Sequence, residues 1–368
     1  MEEIHKILYS LLREGLQKEK ADHDFVVSLS AIPTSDWKFL VQMANQHGVG
    51  AIAYDGLKEW MKVPEFKAAF PKELLLLQWG MSAMKVEQVF NRQYQIASGL
   101  ADIYDDKSLR TVVLKGFSVA KCYPYPNYRP CCDMDCYLLG KYEEGNTIAK
   151  QFGAEVEDGG YKHSHILYKG LMVENHQFLT NFNGTVFGKK VELLLQKEIG
   201  DEAGFSYINN SKLIAPSCDF TALFLLKHAH NHFMTEGITL RHLTDWAMFL
   251  KSEQEHINWE KVNARIITMR LQPFADLLTT WCVKRLGLEV HPQFAFVASD
   301  DKRLQQFEDD LLGPHLMTNG MKWWRKIPIV FARFRRTWRF RYLLTEPMYI
   351  KIWNTFAYCS YFHRKPKL

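Results

Sequence analysis

The chain has 368 residues and a formal net charge of +5, and 47% of its residues are hydrophobic and 14% aromatic. A chain of this length and composition can bury a large core, which excludes a disordered protein and favours two or more subdomains. No apolar run approaches the roughly 20 residues that cross a bilayer, and the amphipathic start of the chain lacks the apolar core of an export signal. We therefore expect a cytoplasmic protein without a transmembrane segment.

The seven cysteines do not predict a disulfide framework, because their number is odd and no export signal accompanies them. Cys131, Cys132 and Cys136 lie close together, but they form no C-x2-C pair and no second pair follows at zinc-finger spacing. We expect all seven to be thiols.

The first part of the chain has the hydrophobic spacing of helices. Residues 4–16 place apolar side chains at the i, i+3, i+4 and i+7 positions of a half-buried helix. Residues 71–106 are expected to form one long helix, or two that join near Gly80. We predict a helical N-terminal region over residues 1–106.

Short apolar runs replace this spacing from residue 107 onward. "LRTVVLKG" and "DMDCYLL" are typical of buried strands, and "HSHILYKGLMVENHQFL" indicates a hairpin that turns at Lys169 and Gly170. Helical spacing returns with "CDFTALFLLKHAHNHF". We predict an α+β protein with a small mixed α/β core over residues 107–195, followed by a helical C-terminal region over residues 196–368.

Two aspartates on the second strand are the clearest candidates for chemistry. Alternate residues of a strand share a face, so Asp133 and Asp135 project side by side. Two such charges need a cation between them, and oxygen ligands suit Mg2+ or Mn2+. Glu174 shares the face of its predicted strand with His176, and it would supply a third carboxylate if that strand runs beside the first. Three carboxylates can hold the two metal ions of an in-line phosphoryl or nucleotidyl displacement.

The segment before the aspartates has features of a phosphate-binding turn. In "LKGFS" a glycine follows a strand and precedes a helix start, so the N–H groups of Gly116 and Phe117 and the hydroxyl of Ser118 could hold a triphosphate. Arg129 could bind the same triphosphate with its fork of N–H groups. Lys115 could do likewise, and either Lys115 or Arg129 could instead form an ion pair with a carboxylate.

The order of these motifs resembles the nucleotidyltransferase superfamily of DNA polymerase beta. More closely, "LKGFSVAKCYPYPNYRPCCDMDCYLL", "VENH" and "KHAHNHFMTEGITLRHLTDWAMFL" resemble an uncharacterised bacterial nucleotidyltransferase family over residues 30–255. The resemblance implies binding of an NTP such as ATP and transfer of its nucleoside monophosphate, with Asp133 and Asp135 as metal ligands and Glu174 as third carboxylate.

The sequence departs from the superfamily pattern between the glycine and the aspartates. Phe117 separates Gly116 from Ser118, and a 14-residue stretch precedes Asp133. This departure counts against a phosphate contact of Ser118 more than against the aspartates as metal ligands.

Each candidate in the core also has a structural interpretation. The Asp133 and Asp135 charges could protect an exposed edge strand from pairing with another chain. Glu174 could form a salt bridge with Lys115 or another base. His176 could support its neighbours or act as a general base.

The histidine-rich helix has several interpretations. His228 and His232 lie four residues apart on one helical face, which suits a polar wall of the cleft or a metal site, but no carboxylate completes an H-E-x-x-H pattern. On the next helix Arg241 and Asp245 are spaced i, i+4, so they could pair within the helix or orient groups of the active site.

A basic aromatic stretch, residues 322–343, holds eight Lys or Arg and no acid, and without it the chain has 38 basic and 41 acidic residues, a net charge of −3. The stretch could dock as an amphipathic helix with snorkelling arginines, contact an anionic membrane surface, or bind a polyanionic acceptor such as nucleic acid. Its aromatic positions Phe331, Phe334, Trp338 and Tyr342 recur at helical spacing.

Together these features predict a nucleotidyltransferase whose acceptor is a small molecule, RNA or protein. Two alternatives keep the same fold. One is a non-catalytic protein that binds a nucleotide or a partner, and the other is a toxin or regulator that modifies RNA or protein.

Overall fold

A computed structural model describes residues 2–18, 20–70, 73–131, 133–182, 185–313 and 334–350. Among the helices of these residues, none combines the length and the hydropathy that a membrane crossing requires. The cysteines in this part of the chain are free thiols: Cys122, Cys131, Cys136, Cys218 and Cys282.

The N-terminal part of the chain is helical. Its helices are α1 (Glu2–Gln17), α2 (His23–Ser28), α3 (Thr34–Gln46), α4 (Gly50–Trp60), α5 (Pro64–Ala69) and α6 (Glu73–Asp105). Helix α6 is one unbroken helix of 33 residues. A Cβ atom on Gly80 would lie 2.7 Å from the Tyr54 hydroxyl, so the glycine lets α4 and α6 pack closely and does not end a helix.

A seven-stranded mixed sheet follows in the order β3-β4-β5-β2-β1-β7-β6. Its strands are β1 (Thr111–Val113), β2 (Asp133–Tyr137), β3 (Glu155–Asp158), β4 (His163–Tyr168), β5 (Leu171–His176), β6 (Ser206–Tyr207) and β7 (Leu213–Ala215). The pairs β2–β5 and β1–β7 are parallel, and the other pairs are antiparallel. The mixed sheet with helical regions on either side in sequence confirms the predicted α+β class.

The sheet extends beyond the predicted core boundary at residue 195, because β6 and β7 belong to it. These strands have two and three residues, too few for side-chain alternation to be visible in the sequence. The sheet thus continues past residue 195, and the domain boundaries themselves stay a prediction.

Further helices lie between the strands and after them. They are α7 (Phe117–Ala120), α8 (Tyr142–Gln151), α9 (Val186–Ile199), α10 (Cys218–Thr235), α11 (Leu240–Glu253), α12 (Trp259–Thr268), α13 (Gln272–Leu286) and α14 (Asp301–Leu311). Residues 334–339 are also helical.

One face of the sheet is covered by α6. Phe90 and Tyr104 of α6 share an apolar cluster with Met134 and Val173 of the central strands. Burying a side chain of this size contributes roughly 1.5–3 kcal/mol. Since side chains alternate along a strand, the opposite face of β2 and β5 receives Asp133, Asp135 and Glu174.

The predicted hairpin is confirmed in β4 and β5. Lys169 and Gly170 form its two-residue turn with φ angles of 48° and 86°, which is the left-handed pair that a type I′ hairpin requires. The register places His165 opposite Glu174 and His163 opposite His176.

The basic aromatic stretch is described only from residue 334, and residues 322–333, including Phe331, lie outside the described residues. Phe334 and Trp338 are 43% and 56% exposed, whereas Arg336 is buried and its Nη2 lies 2.9 Å from Asp310 Oδ2 of α14. In this part of the chain Phe334 and Trp338 therefore face solvent, and the segment packs on the core through Phe340 and pairs with α14 through Arg336.

Candidate active site

The central strands bring two of the predicted carboxylates together. Strands β2 and β5 pair in parallel, with Asp135 directly beside Glu174 and Asp133 beside Met172. Neighbouring strands are about 4.8 Å apart, so residues in register on one face place their side chains in contact. The strand arrangement that the Glu174 prediction requires is therefore present.

Asp135 lies almost fully buried between two nitrogen groups. Its Oδ2 is 2.9 Å from Lys115 Nζ, and its Oδ1 is 3.1 Å from His176 Nε2. Burial by itself would raise the pKa of Asp135, but Lys115 and His176 hold the pKa well below its usual range. The carboxylate is therefore ionised at neutral pH.

Lys115 follows β1 and occupies a place where a metal ion would neutralise the aspartates. Burial disfavours its charged form, but Asp135 and then Asp133 act in the opposite direction and raise the pKa of Lys115. Of the two interpretations of Lys115, the structure shows the ion pair with a carboxylate.

Glu174 is surrounded by imidazoles. Its Oε2 lies 3.5 Å from His163 Nδ1 and 3.6 Å from His176 Nε2, and its Oε1 lies 3.9 Å from His165 Nε2. Burial raises the pKa of Glu174, but the interaction with His176 outweighs it and the pKa is lowered. Burial lowers the pKa of His163 to about 4, so that imidazole is neutral at pH 7.

The hydrogen bonds of His176 fix its role in this group. Its Nδ1 lies 3.0 Å from Phe178 O, and a carbonyl oxygen can only accept, so Nδ1 carries a proton. In the neutral ring Nε2 then presents a lone pair toward Asp135 and Glu174. Such an arrangement needs a cation between the ring and the carboxylates, either a second proton on Nε2 or a metal ion.

This donor set fits a divalent metal ion. Ligand atoms of Asp135, Glu174 and His176 all lie within 4.8 Å of one another, and two carboxylates with an imidazole suit Mn2+ and, through the oxygens, Mg2+. Asp133, on the same face of β2, does not join this close group within the described part of the chain. Its contact with the same ion stays a prediction.

One further cation lies near the carboxylates, and no sequence motif points to it. Lys162 immediately precedes β4, and burial lowers its pKa although the charges of Asp135 and Glu174 act to raise it. Lys162 carries no motif of its own, so only the pairing of β4 with β5 brings it to this face.

The long loop before β2 is anchored on α11. The Arg129 guanidinium donates through Nε to Asp245 Oδ1 and through Nη2 to Asp245 Oδ2, each at 2.7 Å. The Tyr123 hydroxyl lies 2.7 Å from the same Oδ1. Burial would raise the pKa of Asp245, but Arg129 lowers it. This ion pair is the structural alternative to triphosphate binding by Arg129, and the binding role stays a prediction.

The arrangement also gives Asp245 a partner other than the one its helical spacing suggests. The ion pair joins Asp245 to Arg129, 116 residues away, while Arg241 donates through Nη1 to Pro130 O at 3.3 Å and adds to the lowering of the Asp245 pKa. Both arginines therefore tie α11 to the loop that leads into β2.

Several predicted cleft residues meet at a small cavity of about 20 Å3 between β1 and the helices α10 and α11, which has room for about one water molecule. Its lining includes Lys115, Arg129, His228, Arg241, His242 and Asp245. Burial lowers the pKa of His228 and of His242 well below the usual range, so both rings are neutral.

Two histidines of α10 and one of α11 lie in contact. The His228 ring centroid lies 4.4 Å from that of His232, with the rings tilted by 52°, and the His228 ring stacks on that of His242 at 5.9 Å. As far as the described residues go, neither His228 nor His232 belongs to a group of three metal-ligating side chains within 4.8 Å. The polar wall of the cleft is the interpretation that this geometry favours.

The glycine turn has the conformation expected of a special backbone position. Gly116 has a φ of 76° and precedes α7, and L-residues with a side chain rarely adopt this φ. Ser118 is buried, and its Oγ finds no hydrogen-bond partner among the described residues. A buried hydroxyl without a partner is costly, which fits a polar ligand, but the phosphate contact of Ser118 stays a prediction.

The mixed sheet, with candidate carboxylates on β2 and β5, is the arrangement expected of a nucleotidyltransferase core. The family model of the uncharacterised nucleotidyltransferases matches residues 33–287, more than half of the chain. The chain therefore belongs to this family, and the resemblance of its motifs to a nucleotidyltransferase family is confirmed. Comparison with curated proteins and with solved structures finds no match.

Proposed function

We propose that the protein transfers a nucleoside monophosphate from an NTP, such as ATP, to an acceptor that carries a hydroxyl group. The observation that carries the proposal is that Asp135 of β2 pairs in register with Glu174 on the adjacent parallel strand β5. Asp133 lies two residues before Asp135 on the same strand. In this reaction the acceptor oxygen bonds to the α-phosphorus. The bond from the α-phosphorus to the oxygen between the α- and β-phosphates breaks, and pyrophosphate leaves.

Asp133, Asp135 and Glu174 would hold Mg2+ or Mn2+. The bound ions would supply positive charge for the phosphate oxygens and lower the pKa of the acceptor hydroxyl. His176 would keep the carboxylates in place, since its Nδ1–H is held by Phe178 O and its Nε2 faces both acids.

Lys115 would change partner when the nucleotide binds. Its ammonium neutralises Asp135 at 2.9 Å, and a divalent ion on the same carboxylate would repel it. Phosphate oxygens of the NTP are the anions to which the released ammonium could turn. Lys162, whose charge interacts with Asp135 and Glu174, would add a second positive charge near the phosphates.

A titration calorimetry experiment followed by a pyrophosphate-release assay tests the proposal. We expect wild-type protein to bind Mg-ATP or another Mg-NTP and to release pyrophosphate with a suitable acceptor. The double variant Asp133→Asn, Asp135→Asn should lose both properties, whereas Asp24→Asn, at a fully exposed position, should keep them.

The same assays separate the alternatives. Binding of Mg-NTP without pyrophosphate release under any acceptor would favour a non-catalytic binding protein. Absence of binding would overturn both functions, and full turnover by the double variant would remove the role of the aspartates.

A polyanionic acceptor such as RNA is favoured by one surface. A cavity of about 350 Å3 is lined by Asp300, Lys302, Arg303, Gln306, Arg339, Arg341 and Tyr342. Beside it the exposed Trp338 ring lies under the Arg341 guanidinium, 5.3 Å from centroid to Cζ. Arginine for phosphates and an aromatic ring for a base are the elements of single-strand recognition.

The test of this acceptor class is the salt dependence of RNA binding. We expect the affinity of wild-type protein for single-stranded RNA to fall as the salt concentration rises. At any one salt concentration the double variant Arg303→Gln, Arg341→Gln should bind the RNA more weakly than wild type. Unchanged RNA binding in that variant would refute this surface. Binding to anionic vesicles in place of RNA would assign it to a membrane surface instead.

A further inference from the structure

A second group of metal-ligating side chains lies next to the three carboxylates. Ligand atoms of His163, His165 and Glu174 lie within 4.8 Å of one another. The nucleotidyltransferase reaction described above makes no use of the two imidazoles, and the sequence motifs "D-x-D" and "E-x-H" do not include them.

The sheet builds this group. His163 and His165 are alternate residues of β4, so they share a face, and the antiparallel pairing sets His165 directly opposite Glu174 of β5. Ordered strands hold all three side chains, and no loop has to close to bring them together. A site on strands is more rigid than one on loops.

The spacing of the nitrogen atoms suits a single small ion. His163 Nε2 and His165 Nε2 are 3.1 Å apart, a separation that two bonds of about 2.0–2.1 Å to one ion can span. For an ion held by both Nε2 atoms the third ligand is Glu174 Oε1, which lies 3.9 Å from His165 Nε2, whereas the 3.5 Å contact of Glu174 Oε2 is with the other nitrogen of His163, Nδ1. Two facing imidazole nitrogens need a proton or a cation between them, since both rings would otherwise present lone pairs.

We propose that His163, His165 and Glu174 form a binding site for a divalent transition-metal ion such as Zn2+, Mn2+ or Co2+. Imidazole nitrogen suits these ions, whereas Mg2+ prefers oxygen ligands. Two histidines and one glutamate leave coordination positions for water or substrate oxygen.

Glu174 belongs to both groups of ligands, so the site adjoins the ion proposed for Asp133 and Asp135. Its two oxygens face different partners, since Oε2 is near His176 and Oε1 is near His165. With this site the protein is a nucleotidyltransferase with two different metal ions, and that consequence rests on the proposed function. Metal binding at the histidines does not depend on the proposed function.

Cobalt is the probe for this site, because Co2+ has visible absorption that reports its ligands. We expect full-length protein, freed of metal by a chelator, to bind Co2+ and to show this absorption. His165 is 40% exposed in its side chain, so His165→Gln can be made with little risk to the fold, and His163→Gln, His165→Gln removes both nitrogens.

Loss of an outer hydrogen-bond partner of a metal ligand typically costs roughly 10–100-fold in affinity, so loss of the ligands themselves should weaken Co2+ binding by at least that factor. His23→Gln is the matched control, since His23 also has an acidic neighbour, Asp24, at 3.4 Å but lies at the surface. We expect its Co2+ affinity and spectrum to match wild type.

Two outcomes would overturn the inference. One is Co2+ affinity and absorption in the double histidine variant equal to wild type, and the other is absence of Co2+ binding by wild-type protein. Circular dichroism of each variant checks that the fold is intact, and His165→Gln alone serves where the double variant does not fold. Cobalt binding without any pyrophosphate release would refute the proposed function and leave the histidine site standing.

Discussion

Lys115→Met should make the stability of the protein depend on a metal ion. In wild-type protein the Lys115 ammonium lies 2.9 Å from Asp135 Oδ2, and the two side chains are 15% and 1% exposed. Methionine keeps much of the length of the side chain but removes the charge. Asp135 then stays buried, with His176 Nε2 still 3.1 Å from its Oδ1.

The expected loss of folding stability in Lys115→Met follows from the burial of this ion pair. Removing one partner of a buried ion pair costs about 3–5 kcal/mol, and the lower end applies because His176 still contacts Asp135. A loss of about 3 kcal/mol lowers Tm by roughly 6–12 °C in a chain of 150–250 residues, and by less in a longer one. An ion bound to the folded state at 100 times its Kd returns about 2.7 kcal/mol. Mn2+ should therefore restore most of the lost stability.

Thermal unfolding of wild type and Lys115→Met, each with a chelator and with Mn2+, measures this effect. Wild type should gain less from Mn2+ than the variant, because the ion has to displace Lys115. Lys212→Met is the control, since Lys212 pairs with Asp105 at 2.8 Å on the surface, and its unfolding should not change. If Lys115→Met without metal is as stable as wild type and Mn2+ raises both Tm values equally, Lys115 does not neutralise Asp135 in the folded protein.

Two further predictions concern α10 and α11. Asp245→Asn leaves the buried Arg129 guanidinium without its carboxylate and should cost about 3–5 kcal/mol in urea denaturation; a cost below about 1 kcal/mol would contradict the proposed anchoring of the loop. His228 and His242 have folded pKa values lowered by burial, so their contribution to stability is present above the unfolded pKa near 6.5 and is lost as pH falls toward the folded values. Between pH 7 and 5.5 each can lose up to about 1 kcal/mol, because the unfolded state takes up the proton. Denaturation of His228→Gln, His242→Gln should show a flatter pH dependence than wild type, and equal slopes would refute it.

Local patterns in the sequence were enough for the elements that carry the site. The β-branched run at β1, the alternation in β2 and the Lys169–Gly170 turn each depend on a few adjacent residues, and the structure contains all three. The long α6 was also predictable, since its apolar positions continue through Gly80.

Contacts between distant segments were beyond these patterns. The register that sets Asp135 beside Glu174 depends on two strands that are far apart in sequence, and only the condition for it could be stated. The ion pair of Arg129 could not be assigned to Asp245 from the sequence, because Asp245 is 116 residues away and lies at helical spacing from Arg241. The two imidazoles of "HSH" could be assigned to a ligand group only from the pairing of β4 with β5, which sets His165 opposite Glu174.

Anomalous diffraction from crystals grown with Mn2+ and a non-hydrolysable NTP would show whether Asp133, Asp135 and Glu174 hold the catalytic metal next to the nucleotide. We expect a manganese peak bonded to carboxylate oxygens of Asp133, Asp135 and Glu174, with triphosphate oxygens on the same ion. A nucleotide bound elsewhere, or a manganese ion with none of these carboxylates among its ligands, would contradict it.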